Sequence, residues 1–119
     1  MGAPVVWFEI AGRDLESMRK FYGDLLGWKL DADNPVNYGL VDTGAEGGIP
    51  GGIFAPGDGI EYVTFYAEVP DLKASLAKAE KLGAKVVAPP MEVMGGSTVA
   101  AIHDPEGHVI GLLQPPAAA

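Results

Sequence analysis

The feature that most constrains the fold of this chain is an internal repeat, in which the second half reproduces the pattern of the first. Three residues of the first half align at one constant offset with three of the second: Phe8, Asp14 and Leu15 with Phe65, Asp71 and Leu72. A closing Gly-x-x-x-Pro occurs at 52–56 and again at 111–115. Such a repeat indicates one supersecondary unit used twice. We therefore expect a single domain over residues 1–119, with module one at about 4–56 and module two at about 61–115.

Each half of the sequence predicts a strand, a helix and three short strands. In the first half Asp14 is a typical N-cap, apolar residues recur at helical spacing after it, and Gly27 ends the helix. Asp71 and Gly83 occupy the same places in the second half. The predicted strands lie at 5–10, 29–31, 38–42 and 51–55, and then at 62–68, 85–88, 98–103 and 109–114.

Strand parity predicts a polar and aromatic sheet face opposite the helices, because successive side chains of a strand point to opposite sides. In the first strand Phe8 and Ile10 are expected to cover the helix. Trp7 and Glu9 then lie on the other face. In the fifth strand the expected helix-facing residues are Val63, Phe65 and Ala67, and the opposite face carries Tyr62, Thr64, Tyr66 and Glu68. This face is a candidate ligand-lining surface.

Composition excludes several classes of function. The 16 acidic and 8 basic residues give a formal charge of −8, which argues against nucleic-acid binding and against an anionic membrane surface. The absence of cysteine excludes disulfides and thiolate metal sites. No apolar stretch approaches the roughly 18 residues of a membrane span, and no basic segment precedes an apolar run at the N-terminus. We expect a cytoplasmic protein without nucleic-acid or membrane partners.

Short motifs in both halves are distinctive in combination. The first half carries Phe8-Glu9-Ile10, Asp14, Phe21-Tyr22 and Leu26-Gly27-Trp28. The second half carries Leu82-Gly83-Ala84-Lys85-Val86, Pro89-Pro90-Met91 and Asp104-Pro105-Glu106-Gly107. Together they resemble the vicinal-oxygen-chelate superfamily of glyoxalase I, bleomycin-resistance proteins and extradiol dioxygenases. The resemblance implies an α+β domain in which two tandem βαβββ modules form a curved mixed sheet with a ligand cup, with the helices on the outer face. It also implies a homodimer.

The resemblance implies four metal-ligand positions as well, one on the first and one on the last strand of each module. In this chain they are Trp7, Gly52, Thr64 and Gly111. None of the four offers an imidazole or a carboxylate, which a divalent ion needs from its ligands. We therefore predict no metal and no cofactor, which argues against the glyoxalase, isomerase and dioxygenase reactions of metal-dependent members.

The predicted function is metal-free binding of a small molecule, as in drug or metabolite sequestration. The predicted ligand-binding residues are Trp7, Glu9, Phe54, Thr64, Tyr66, Met91 and Leu113. No catalytic residue is predicted. Because no lysine or arginine falls on the open face, the expected ligand is neutral or cationic and partly aromatic, with Trp7 and Tyr66 available for stacking.

Two other functions stay open. One is a lyase, isomerase or dioxygenase-like enzyme with a non-standard metal or acid–base site, and a glyoxalase-like lyase is the form that such an enzyme would take. The other is a regulatory or interaction domain with a vestigial cup. The histidines and acids at 103–108 are compatible with a metal group, but the Asp-Pro-Glu-Gly sequence favours a turn between two strands.

Overall fold

The computed structural model describes residues 2–117, in which the order β-α-β-β-β occurs twice. The elements are β1 (Val5–Ala11), α1 (Leu15–Leu26), β2 (Lys29–Asp31), β3 (Gly39–Asp42), β4 (Gly51–Phe54), β5 (Tyr62–Glu68), α2 (Leu72–Lys81), β6 (Lys85–Glu92), β7 (Thr98–His103) and β8 (Val109–Gln114). The predicted α+β class with two βαβββ modules is confirmed. By internal contacts the chain divides into two compact units, one of residues 7–63 and one that combines the segment up to Val6 with the residues from Thr64 onward.

In the unit of residues 7–63 the strands lie in the order β2-β3-β4-β1. β1 pairs with β4 in parallel, and the other two pairings are antiparallel. The carboxylate of Asp14 accepts the Ser17 backbone N–H at 3.1 Å and so begins α1, and Gly27 ends it in the left-handed conformation at φ 71°. The core of this unit consists of Leu15, Val41 and Ile53 with the apolar residues that pack against them.

In the other unit the strands lie in the order β5-β8-β7-β6, with β5 parallel to β8. Two side chains cap the first turn of α2, because Asp71 accepts the Ala74 N–H at 3.0 Å and Gln114 accepts the Leu72 N–H at 2.7 Å. The core of this unit consists of Leu72, Leu76, Ala100 and Ile102. Neither helix of residues 2–117 is long and apolar enough to cross a bilayer.

Four strands differ from their predicted bounds, and in two of them the difference is one residue at the end: β1 ends at Ala11 and β4 ends at Phe54. β6 extends to Glu92 instead of ending at 88, although it contains Pro89 and Pro90. It is the last strand in its unit's order, and its register against β7 shifts between Val86 and Ala88 and again between Ala88 and Met91. An edge position and bulges are where a sheet tolerates proline. Residue 38 lies just before β3, which begins at Gly39.

The predicted helix-facing residues of β1 are confirmed, since Phe8 and Ile10 pack against the core of their unit. Phe65, which is predicted to face the helix of its own half, is 39% exposed and so is only partly covered. The main contacts of α2 are with β6, β7 and β8. Val63 is also exposed, at 74%.

Candidate functional site

A buried carboxylate organises one face of the unit of residues 7–63. Glu9 is only 7% exposed and lies on the face of β1 opposite Phe8 and Ile10. The Tyr38 hydroxyl donates to Glu9 Oε2 at 2.6 Å, and the Tyr62 hydroxyl donates to Glu9 Oε1 at 2.5 Å. Hydrogen bonds to an ionised acceptor are short and about twice as strong as neutral ones. One carboxylate thus holds two phenol rings in place.

The indole of Trp7 extends this network. Its Nε1–H donates to the Tyr38 hydroxyl oxygen at 3.1 Å. The donors therefore follow one direction, from Trp7 to Tyr38 to Glu9, and Tyr62 donates to the same carboxylate from the other side. A chain of hydrogen bonds with one direction polarises each member and fixes the positions of its side chains.

Two asparagines in the segment between β2 and β3 position the backbone of Tyr38. The side-chain amide of Asn34 donates to the Tyr38 carbonyl at 2.7 Å, and its amide oxygen accepts the Tyr38 N–H at 3.0 Å. Asn37, which precedes Tyr38, has a φ of 55°, in the left-handed region that asparagine tolerates better than most residues. The segment between β2 and β3 therefore holds the Tyr38 backbone from two sides.

The absence of a side chain at Gly52 makes room for the Tyr38 phenol. Gly52 lies opposite Glu9 in the β1–β4 register, and a Cβ built on it would overlap the Tyr38 hydroxyl and ring. The Phe54 ring, two residues along β4, has its centroid 5.1 Å from that of Tyr38 and 6.5 Å from that of Tyr62. We call the set of Trp7, Glu9, Tyr38, Phe54 and Tyr62 the Glu9 cluster.

Three of the seven predicted ligand-binding residues, Trp7, Glu9 and Phe54, meet in the Glu9 cluster. The other four are Thr64, Tyr66, Met91 and Leu113, which lie in the other unit. The Thr64 hydroxyl is buried and donates to the Val109 carbonyl at 2.6 Å, so it serves the β5–β8 contact. Met91 is 63% exposed on β6. Their binding role stays a prediction.

Tyr66 repeats the arrangement of a tyrosine over a glycine in the second unit. It lies opposite Gly111 in the β5–β8 register, and a Cβ built on Gly111 would overlap the Tyr66 ring. Leu113 is two residues further along β8, opposite Glu68. The family resemblance implies a metal-ligand position on the last strand of each module, and in this chain both positions are glycine. A tyrosine ring of the same unit covers each of them.

Sequence reasoning missed Tyr38 and Tyr62 as members of the site. Parity placed Tyr62 on the correct face of β5, which was a usable signal. Tyr38 had no such signal, because its hydroxyl reaches Glu9 only through the pairing of β3 with β4 and of β4 with β1. Those pairings are long-range and are set by the fold.

The four family metal positions do not fit a metal ion. Trp7 offers an indole and Gly52 and Gly111 offer no side chain, while the Thr64 hydroxyl is committed to Val109. Among residues 2–117 no group of three histidine, cysteine, aspartate or glutamate side chains is arranged to hold an ion. The donor chemistry at these positions therefore supports no step through a metal.

The segment 103–108 forms the predicted turn between β7 and β8. The Asp104 carboxylate accepts the backbone N–H groups of His108 and Glu106, both at 2.9 Å, and lies 3.0 Å from His108 Nδ1. The pKa of Asp104 lies below its ordinary value, chiefly because of the His108 backbone N–H, with desolvation opposing. These groups stabilise a turn.

Two surface depressions lie away from the Glu9 cluster. One of about 340 Å³ follows the segment from Val41 to Pro50, where the Asp42 carboxylate accepts the Gly44 N–H at 2.8 Å. The other, of about 500 Å³, lies on α1 beside the Lys20–Asp24 ion pair at 2.7 Å. The polar groups beside these depressions form a local turn and an exposed ion pair. The buried carboxylate and aromatic rings of the Glu9 cluster are therefore the stronger candidate site.

The model of the Glyoxalase/Bleomycin resistance protein/Dioxygenase superfamily matches residues 5–112. The chain belongs to this superfamily. Among curated relatives it is 28% identical over 116 residues to the "Putative glyoxylase CFP32" proteins of Mycobacterium tuberculosis and Mycobacterium bovis. That alignment covers 91% of this chain and 44% of each relative. The chain thus spans less than half the length of the curated relatives that it matches.

Several solved structures share the fold of this chain. Methylmalonyl-CoA epimerase from Mycobacterium tuberculosis matches with a TM-score of 0.69 and 21% identity, covering 95% of this chain and 88% of that one. A hypothetical protein from Bacillus halodurans matches with a TM-score of 0.73 and 15% identity, covering 100% and 99%. At these identities the likeness is one of fold.

Proposed function

We propose that this superfamily member binds a small, partly aromatic, neutral or cationic molecule without a metal, as in drug or metabolite sequestration. The observation that carries the proposal is the Glu9 cluster on the face where metal-dependent members hold their ion. A buried carboxylate and four aromatic side chains lie there, and the family's metal positions supply no ligand set. Apolar area with a few placed polar groups is typical of small-molecule sites.

The cluster is suited to non-covalent binding. The rings of Trp7, Tyr38, Phe54 and Tyr62 offer stacking area at little entropic cost, because their hydrogen bonds and ring contacts already hold them. Apolar surface that a ligand buries contributes roughly 25 cal/mol per Å². Glu9 adds a fixed negative charge that orients a polar ligand.

The first test of the proposal is the metal content of untagged protein as purified. Zinc, nickel, manganese and iron salts are then titrated against its melting temperature. We expect no stoichiometric ion and no saturable rise in melting temperature. A metal that binds only the folded state would raise the melting temperature. A bound ion at one equivalent, or a saturable stabilisation by one metal, would therefore show a metal site and contradict the proposal.

The second test is a ligand screen by melting temperature with a matched pair of aromatic variants. Trp7→Ala should abolish the ligand-dependent shift. Phe21→Ala should retain it, because Phe21 is 57% exposed on α1 and has no member of the cluster among its ring contacts. An unchanged shift in Trp7→Ala would contradict the role of the cluster.

A second candidate function is an isomerase that uses Glu9 as a general base. The specific observation in its favour is the carboxylate between two phenols, which places a base and two acids in one network. Structures of similar fold carry the name methylmalonyl-CoA epimerase, which is an isomerase. The test is hydrogen–deuterium exchange at C2 of methylmalonyl-CoA in D₂O. Exchange that is lost in Glu9→Gln would favour the enzyme over sequestration.

We also propose that the chain forms a homodimer. The proposal is supported by membership of the superfamily, for which the resemblance described above implies a homodimer. Light scattering coupled to size-exclusion chromatography should give twice the monomer mass of 12.4 kDa. A monomer at all concentrations would contradict this proposal without affecting the ligand site.

A further inference from the structure

We infer that the ligand of the Glu9 cluster carries a positive charge and that the cluster selects organic ammonium ions over neutral and anionic molecules of the same shape. The inference rests on the proposed function, which leaves the charge open between neutral and cationic. It follows from the direction of the hydrogen bonds, the place of the carboxylate and the arrangement of the rings.

The direction of the hydrogen bonds disfavours an anion. The hydroxyl protons of Tyr38 and Tyr62 are both donated to Glu9, and the indole proton of Trp7 is donated to Tyr38. A carboxylate or phosphate ligand needs N–H or O–H donors. The hydroxyl of Tyr38 or Tyr62 could serve an anion only by leaving the buried carboxylate of Glu9, which also repels the anion. Removing a partner from a buried charged group is among the more destabilising changes in a protein.

The carboxylate favours a cation over a neutral molecule. Glu9 is 7% exposed, so its charge is screened less by water and salt than that of a surface acid. Its two oxygens each accept a phenol, so the group does not have to reorient when a ligand arrives. A charge held in advance contributes more to binding than one that must first be ordered.

The rings add a second preference for positive charge. Tyr38, Phe54 and Tyr62 form a continuous series with centroid separations of 5.1 and 6.5 Å, and the pair planes meet at 41° and 70°. Rings tilted in this way present π faces in more than one direction. The negative face of an aromatic ring attracts a cation by about 0.5–2 kcal/mol, depending on how far water is excluded. An alkylated ammonium group is the class of cation that such a surface recognises.

The experiment compares three probes of one shape and different charge: choline, 3,3-dimethylbutan-1-ol and 3,3-dimethylbutanoate. Each is titrated into the ¹⁵N-labelled chain of 119 residues. The indole N–H signal of Trp7 is followed and is assigned through Trp7→Phe. Trp28 serves as an internal reference, because its ring stacks on Tyr22 and packs against Phe8 on the helix side of the sheet. We expect choline to shift the Trp7 signal saturably, with a Kd at least about tenfold below that of the alcohol, and the anion to have no effect.

A matched pair of charge variants tests whether Glu9 causes the preference for choline over the alcohol. Glu9→Gln should raise the Kd for choline to that of the alcohol, whereas Glu80→Gln removes the same charge from an exposed position of α2 and should leave it unchanged. If Glu9→Gln does not fold, Tyr62→Phe takes its place, because it removes one of the two phenol donors and should also weaken choline binding.

The failures of the two proposals are distinguishable. Equal affinities for choline and the alcohol, or tighter binding of the anion, would overturn the charge inference and leave binding at the cluster intact. If the Trp7 signal responds to none of the three probes, the charge inference is overturned. If the ligand screen also finds no ligand whose binding depends on Trp7, the proposed function is overturned as well.

Discussion

Replacing Gly52 by alanine should disrupt the Glu9 cluster, although Gly52 itself contributes no side chain to it. The added Cβ would overlap the hydroxyl and ring of Tyr38, so the phenol must leave its place. Its departure removes the 2.6 Å bond to Glu9 and the 3.1 Å bond from Trp7. The first is a bond to a charged group, at about 1.5–3 kcal/mol, and the second is a neutral bond at about 0.5–1.5 kcal/mol.

We therefore expect Gly52→Ala to lower the free energy of unfolding by about 2–4.5 kcal/mol. That is a large part of the roughly 5–15 kcal/mol that stabilises a typical domain. For a chain of this size it corresponds to a fall in melting temperature on the order of 10 °C. Urea denaturation of the wild type and the variant measures the difference. The matched control is Gly57→Ala, because a Cβ at Gly57 meets no heavy atom within 4 Å and the substitution should change stability little.

A double-mutant cycle with Tyr38→Ala separates this mechanism from a general intolerance at position 52. In the Tyr38→Ala background the space is already empty, so Gly52→Ala should have almost no further effect. Additive free energies in the cycle would contradict the reasoning, since residues that do not interact give additive effects. A cost no larger than that of Gly57→Ala would contradict it as well.

Three further predictions concern stability. Asn34→Ala should lower the free energy of unfolding by about 1–3 kcal/mol in urea denaturation, because it removes both side-chain bonds to the Tyr38 backbone. Ile53→Ala should lower it by about 2–5 kcal/mol, since Ile53 is fully buried, whereas Ile60→Ala at a 61% exposed site should lower it far less. The lowered pKa of Asp104 stabilises the fold above the ordinary carboxyl value of 3.8, and this contribution is lost as the pH falls through the folded-state value. The stability difference between wild type and Asp104→Asn should therefore shrink as acid is added, and a constant difference would contradict the assignment.

Local signals predicted much of the fold. The caps Asp14 and Asp71 act on backbone N–H groups only three residues away, and the glycine that ends α1 needs only its own φ, so sequence alone identifies them. What failed depends on distant contacts. The exposure of Phe65 depends on which strands α2 contacts, and the extra length of β6 depends on its pairing with β7.

The candidate site divides in the same way. Trp7 and Glu9 were predicted because parity along one strand is a local property, and both lie on the predicted face. Tyr38 was not, because its contact with Glu9 joins residues 29 positions apart through a turn and two strand pairings. Thr64 lies at the expected place in β5, but its hydroxyl has a backbone partner 45 residues away that no local pattern indicates.

The tyrosine that covers Gly52 also limits how this protein can change over evolutionary time. A larger residue at position 52, including any metal ligand, is incompatible with the present place of the Tyr38 ring. Loss of Tyr38 alone, in turn, leaves a buried carboxylate with one donor fewer. A lineage that moved between the two arrangements would pass through a less stable intermediate whichever substitution came first. The two positions are therefore expected to change together or not at all.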